Sequence, residues 1–442
     1  MAQQTCCAQH QHAQRETTVV VAGSGYGGLS AVRALSGEAH SVRVIVIDRN
    51  PYHLLQYQLH EAGAGKIDAA TLAVPLRALL PRNVEFRQAA IRRLDFNSQV
   101  VRTSGGDVRY DRLIIALGGQ PATFGIPGLE QNALTLKSLK DARRLNGHIE
   151  WTLAYAAQTE DVRARTIGLT FAIGGAGITG VELAAELAEK FGDRAQDYDL
   201  DPREIRVVLL EAAPTILPGF DAETIAEATK ALKRLGVALR TNAIITRVEE
   251  GQVVLKGGNL LETGTFIWTG GVRANQLVLD SDLTIEGRGA AVVDAFLRPV
   301  EHPDVTIIGD CALVRDPRHG GIALPCAQLA VQQGQYAARD IVAEIRGDVR
   351  QPYVPHMHGL LISLGSQRGV GTIGPLFVRR LVARLGKVGA ETRYMWKIGG
   401  LRLLVSRWLR LRAEWVGLAR RCRQGRRHFA HTRSGILRRS TS

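Results

Sequence analysis

The sequence predicts an α/β chain with two doubly wound parallel sheets, the first interrupted by the second, followed by a basic C-terminal segment. Three observations predict this. Two glycine-rich turns, Gly23-Ser-Gly25-Tyr-Gly-Gly28 and Gly175-Ala-Gly177-Ile-Thr-Gly180, each follow a short apolar run and open a helical pattern. Strand-like and helical patterns alternate from Thr17 to about residue 240, as parallel sheets with crossover helices require. The basic excess is confined to the end of the chain: Val378–Ser442 holds 18 Lys and Arg against 2 acidic residues, although the whole chain carries only +14.

The first turn follows the run Thr17–Ala22. In such a turn the first glycine makes the tight bend. The second lets the backbone approach a pyrophosphate, and the third lets helix and strand pack closely. The free N–H groups of the following helix then meet the phosphate. Asp48 ends the next apolar strand, 20 residues after Gly28, where a carboxylate holds a ribose hydroxyl pair. The assigned residues are therefore Gly23, Gly25, Gly28 and Asp48. The second turn assigns Gly175, Gly177, Gly180 and Glu211. Glu211 comes 31 residues after Gly180, and the extra length, the polar stretch Gly192–Asp201, reads as a surface excursion. A carboxylate at Glu211 repels a 2′-phosphate, so NADH is expected over NADPH.

A chain of 442 residues suggests two or three domains. Apolar content of 45 % is that of a soluble globular protein. No run of about 18 apolar residues reads as a membrane span. Residues 1–16 are polar and lack a signal-peptide core, so a disordered N-terminus is expected. Five cysteines without repeated spacing give no disulfide framework and fit a reducing compartment. His10/His12 and His356/His358 lack further ligands, and no metal is expected.

Several further stretches add up to a family likeness. Asp48-Arg-Asn-Pro-Tyr-His-Leu follows the first strand pair. Leu113-Ile-Ile-Ala116-Leu-Gly118-Gly and Trp268-Thr-Gly270-Gly-Val-Arg-Ala-Asn275 are two short crossings. Val305-Thr-Ile-Ile-Gly309-Asp310 is a late strand ending in an acid. Ala327-Gln328-Leu-Ala-Val-Gln332-Gln-Gly334 opens a helix. Over roughly residues 17–374 the chain resembles the type II NADH:quinone oxidoreductases, two-dinucleotide flavoproteins. The resemblance implies two Rossmann-like dinucleotide-binding domains: an FAD domain at 17–150 and 286–370, interrupted by an NADH domain at 151–285. It implies FAD contacts at Ala116, Gly118, Gly309, Asp310 and Ala327, and a nicotinamide-side contact at Gly270. Glu182 is then expected near nicotinamide and flavin, where it positions charge or protons. A first-turn glutamate favoured by the helix dipole is the competing reading. Gln328 and Gln332 are expected on the quinone side, as amide donors to a carbonyl oxygen that gains charge.

The expected reaction is hydride transfer from NADH to FAD and electron transfer to a membrane quinone, without ion pumping. Two rivals stay open: a sulfide:quinone oxidoreductase-like enzyme and a flavin-bound nucleotide sensor. Disulfide reductases need a cysteine pair near the flavin, and none lies between Cys7 and Cys311. Cys311 and Cys326 lie on the acceptor side without a mid-chain partner and read as buried or half-buried thiols. Residues 371–442 form the basic amphipathic region. There Leu401, Leu404, Trp408, Leu411, Trp415 and Leu418 share one helical face, with Arg412 interrupting it. Tryptophans among arginines favour an anionic membrane surface over nucleic acid. A peripheral enzyme at the cytoplasmic face of the cell membrane is expected, and a homodimer is left open.

Overall fold

β-branched residues that face apolar neighbours on both sides make buried parallel strands, and Val19–Ala22 is such a run, wholly buried. The computed structural model describes residues 16–38, 42–318 and 320–407. The expected tail positions Trp408, Leu411, Trp415 and Leu418 lie outside them. The chain divides into two compact units. The first takes the described residues through His53, then Pro75–Ala122 and Val272–Met357. The second takes Leu54–Val74, Thr123–Gly271 and the described residues from His358 onward.

In the first unit five parallel strands run in the order Val305–Ile307, Arg112–Ile115, Thr17–Ala22, Val42–Asp48, Val84–Gln88. Alternate residues face opposite sides. Val19, Val21, Val44, Val46 and Ile114 pack on Ala31, Val32 and Leu35 of the helix Tyr26–Leu35 and on Ala337 and Ile341 of the helix Ala327–Arg346. Val20, Ala22, Ile45, Ile47, Leu113 and Ile115 pack on the other side with Leu94 and Val101 of a small antiparallel layer. The two helices meet through glycines. A Cβ at Gly334 would lie 2.1 Å from the Gly27 carbonyl oxygen, so only glycine permits this approach.

In the second unit five parallel strands run Leu134–Thr135, Thr265–Trp268, Thr170–Gly174, Arg206–Leu210, Ala238–Arg240. The helix Leu139–Gln158 begins at a capping box, in which Ser138 Oγ accepts from Asp141 N at 3.1 Å. This sheet and its first helix begin well before residue 150. The compact units therefore change over at 122/123 and 271/272, where the sequence reading drew its lines at 150/151 and 285/286. From 359 the chain forms an antiparallel sheet, Gly359–Ser363, Gly369–Ile373 and Leu376–Arg379, and then a helix over 380–407. The basic region thus starts on strands.

One expectation is overturned. The stretch Gly192–Asp201 is largely not an excursion, because the helix that follows the second turn spans Ile178–Asp197. Phe191 and Ala195, one turn apart, are buried, and Leu200 beyond the helix is buried too. Sparse apolar residues at helical spacing hold this stretch to the body.

Candidate functional site

The two glycine turns are near copies of each other. Gly23 and Gly175 both have φ +99°, open only to glycine without strain. A Cβ at Gly28 would lie 1.9 Å from the Gly23 carbonyl oxygen, and one at Gly180 would lie 1.9 Å from that of Gly175. Each third glycine is therefore fixed by close packing of helix on turn. Gly25 and Gly177 differ from these. They are extended N-caps with no side-chain cap, and a Cβ there would meet nothing within 4 Å. The helix starts consequently face open space with uncapped N–H groups, the arrangement that takes a pyrophosphate.

The crossings sit behind these turns in equivalent ways. A Cβ at Gly23 would lie 2.5 Å from the Ala116 carbonyl oxygen, and one at Gly175 would lie 2.4 Å from Gly270 Cα. The carboxylates repeat too. Asp48 Oδ2 accepts from Ser24 N at 2.8 Å and from Ser24 Oγ at 2.7 Å. Glu211 Oε2 accepts from Ala176 N at 2.7 Å, and its Oε1 accepts from Ala213 N at 2.9 Å. Each acid ties the strand end to the residue after the first glycine. Each turn thus offers the open helix start and the carboxylate that a bound dinucleotide requires.

The late strand of the first unit brings Gly309 and Asp310 to the same end of the sheet as Ala116 and Gly118. Gly309, at φ +70°, donates its N–H to Gln333 Oε1 at 2.7 Å. A Cβ at Gly119 would lie 2.9 Å from Asp310 Oδ2, so the acid lies against the Gly118–Gly119 crossing. Ala327 is the exposed first residue of its helix, and Gln328 behind it is half-buried. Gln332 is engaged with backbone: its Nε2 donates to the His356 carbonyl at 2.6 Å, and its Oε1 accepts from His356 N at 3.2 Å. The sequence reading passed over Gln333, which is the glutamine that holds the Gly309 loop. Cys311 is fully buried and donates to the Gly118 carbonyl at 3.2 Å. Burial pushes its thiol up to about 12.

Glu182 stands one turn into the helix after Gly180 and is 5 % exposed. Its Oε1 accepts from Ser363 N at 2.8 Å and Ser363 Oγ at 3.0 Å, and Lys387 Nζ donates to the same oxygen. Lys387 Nζ also donates to Ser363 Oγ at 3.1 Å. His60 completes the group: Nε2 is 3.2 Å from Ser363 Oγ, and Nδ1 is 3.5 Å from Glu182 Oε2. Burial pushes the Glu182 carboxyl up, but the Lys387 charge and the Ser363 N–H outweigh it, so Glu182 stays below its ordinary value. Burial drives His60 down to about 4, leaving the ring neutral at pH 7. Next to it, His60, Glu61 and Glu186 bring ligand-type atoms within 4.8 Å of one another, and the ammonium of Lys66 lies among the acids, 3.2 Å from Glu61 and 2.8 Å from Glu186. Of this constellation the sequence singled out only Glu182. Ser363 and Lys387 lie 181 and 205 residues from Glu182, so no local pattern marks them as its partners.

Residues 17–334 match the pyridine nucleotide-disulphide oxidoreductase family. The type II NADH:quinone oxidoreductase of Staphylococcus epidermidis is 34 % identical over 399 residues, covering 88 % of this chain and 98 % of that protein. The enzyme of the same name from Staphylococcus aureus is 33 % identical over 401 residues, with the same coverage. Among solved structures, NDH2 from Plasmodium falciparum in complex with NADH aligns with a TM-score of 0.78 at 17 % identity, covering 88 % of this chain and 97 % of that one. The sulfide:quinone oxidoreductase of Aquifex aeolicus aligns with a TM-score of 0.72 at 18 % identity, covering 87 % and 91 %. At those identities the structures speak for the fold, and the sequence relatives carry the family. The chain belongs to the type II NADH:quinone oxidoreductases.

Proposed function

We propose that this chain oxidises NADH and reduces a quinone through bound FAD, without moving ions across a membrane. One observation carries the reading: a single chain holds two glycine turns of matching geometry, each closed by a carboxylate, as a protein that passes electrons between two dinucleotides needs. Flavin supplies the chemistry that joins a hydride donor to a quinone, since it exchanges electrons singly or in pairs. The protein's own residues bind and orient. Gly25 and the helix start beyond it hold the FAD pyrophosphate, and Asp48 holds its ribose. Gly177 and Glu211 do the same for NADH. Ala116, Gly118, Gly309, Asp310 and Ala327 line the flavin side, and Gly270 lines the nicotinamide side. Gln328 faces the acceptor, and Gln332 fixes the 354–358 segment beside it. Glu182, paired with Lys387, sets charge and proton supply.

The reading extends to a peripheral enzyme on the cytoplasmic face of the cell membrane. Its support is the helix over 380–407. This helix buries Lys387 and Arg407, while Leu381, Leu385, Trp396 and Leu401 are 55–62 % exposed. Buried charge beside exposed apolar residues inverts the pattern of a water-facing helix and suits an anionic bilayer surface. No helix among the described residues is long and apolar enough to cross a membrane.

Steady-state assays test the proposal. NADH with a short-chain quinone should support turnover, and protein-bound FAD should be released on denaturation. Sulfide in place of NADH should not. Quinone reduction driven by sulfide would favour the rival enzyme, although the burial of Cys311 argues against it. Binding of both nucleotides without turnover would favour a sensor.

A further inference from the structure

Quinone reduction takes up a proton from water. NADH, one proton and quinone become NAD+ and quinol, because the hydride brings two electrons and only one of the two protons needed. Glu182 and Lys387 are buried, so that proton needs a route to them.

In the second unit a series of polar side chains leads from the surface towards them. Lys66 reaches the surface, with its side chain 18 % exposed, and its ammonium touches both Glu61 Oε1 and Glu186 Oε1. Glu186 is 0 % exposed, and its Oε2 has no hydrogen-bond partner among the described residues. An ionised carboxylate with an empty buried oxygen is costly, so this geometry calls for the neutral, protonated acid. Burial agrees, raising the Glu186 carboxyl against the opposing charge of Lys66. Glu61 is different. Lys66 and Arg384 both pair with it, Arg384 at 3.1 Å, and they hold it ionised. Glu189 is the other acid that acts on Glu186. From this group to a ring nitrogen of His60 is at most 4.8 Å, a span that one water bridges. Neutral His60 can accept on one nitrogen while donating from the other. Ser363 Oγ then joins it to both Glu182 and Lys387.

We infer that Lys66, Glu61 and Glu186 form a proton inlet, in which Glu186 stores the proton that His60 and Ser363 hand to Glu182 and Lys387 for quinol formation. No bond breaks along this route except O–H and N–H. Each donor is reprotonated by the group behind it, and Lys66 is reprotonated from water. These residues act through Glu182 and Lys387 and do not touch substrate. The inference rests on the NADH:quinone reading above.

The test uses full-length flavin-loaded protein, Glu186→Gln and Lys66→Met, with the two half-reactions timed apart. Reduction of the protein by NADH should stay within about twofold of wild type in both variants. Reoxidation by a soluble quinone at pH 8 should slow by about a hundredfold. Small weak acids such as formic acid should restore it in Glu186→Gln, which a merely structural defect would not allow. Independently, the infrared C=O absorption of protonated carboxyls at neutral pH should lose in Glu186→Gln a component that Glu391→Gln leaves in place. Unchanged reoxidation in the variants, slowed reoxidation of Glu186→Gln that weak acids do not restore, or C=O absorption that Glu186→Gln leaves unchanged would each overturn the inlet. Wild-type protein that quinone fails to reoxidise would instead overturn the underlying reading.

Discussion

Glu211 holds the second turn through two backbone N–H groups and ends the strand where a ribose is gripped. Its charge should select NADH. Ala212 beside it is exposed and has room for an arginine. Replacing the pair as Glu211→Ser with Ala212→Arg removes the repulsion and adds a phosphate partner. The kcat/KM ratio of NADPH to NADH should rise by roughly thirtyfold, the worth of about 2 kcal/mol for a charged hydrogen bond. NADH binding should weaken as well, since both backbone donors lose their acceptor. Wild type preferring NADPH would remove Glu211 from this role. Glu391 on the C-terminal helix supports a pH prediction. Burial pushes its carboxyl up to about 7 against the pull of Lys387. A carboxyl raised in the folded state binds its proton there more tightly than when unfolded. It therefore costs stability as pH climbs from about 4.5, its ordinary value, through about 7. His53 and His60, both driven down to about 4 by burial, act the opposite way over nearly the same window. Wild-type melting from pH 5 to 8 therefore sums opposing contributions and does not isolate Glu391. Glu391→Gln should gain in Tm relative to wild type as pH rises across that range, and a difference that shrinks would contradict the assignment.

At the scale of elements, the two turns are separable. Alanine at Gly28 or Gly180 would place a Cβ 1.9 Å from a turn carbonyl, and the following helix must move. The cost is about 1–3 kcal/mol, felt where that helix start meets phosphate. Gly28→Ala should yield protein depleted of FAD. Gly180→Ala should keep its FAD and lose NADH affinity, read as a raised KM for NADH. Identical effects of both would mean that the turns do not serve separate nucleotides. The helix over 380–407 carries a different prediction. Trp396→Glu with Leu385→Glu places charge on its exposed apolar face. Sedimentation with anionic liposomes should fall sharply, while turnover with a short-chain quinone stays near wild type. Truncation after Ile398 is a poorer probe, because Arg407 donates to the Thr71 carbonyl at 3.1 Å and anchors the helix. Undiminished sedimentation of the double variant would sink the docking face. These elements differed in how far the sequence revealed them. The glycine turns and their acids were legible because each is a local pattern, a strand, three glycines and a carboxylate within a few dozen residues. The C-terminal helix was legible only as charge and periodicity. That Lys387 and Arg407 point inward depends on distant partners.

Across the whole molecule, what the sequence concealed is long-range polar pairing. Glu182 was found because it follows a recognisable turn, yet its meaning comes from Ser363 and Lys387, 181 and 205 residues away. No periodicity encodes such a pairing, and in sequence Lys387 is one more cation in a basic tail. Gln332 shows the reverse case. A glutamine read as a free donor turns out to clamp His356. The two-sheet architecture was legible throughout, because alternating apolar strands and helices leave few other ways to bury a core. The central claim is that this one chain carries electrons from NADH to quinone through bound FAD. Anaerobic stopped-flow absorbance of the purified protein tests it most directly. The flavin band should bleach on mixing with NADH and return on mixing with a soluble quinone, each step fast enough to sustain turnover. Protein without flavin, or flavin that NADH bleaches and quinone leaves bleached, would contradict the account.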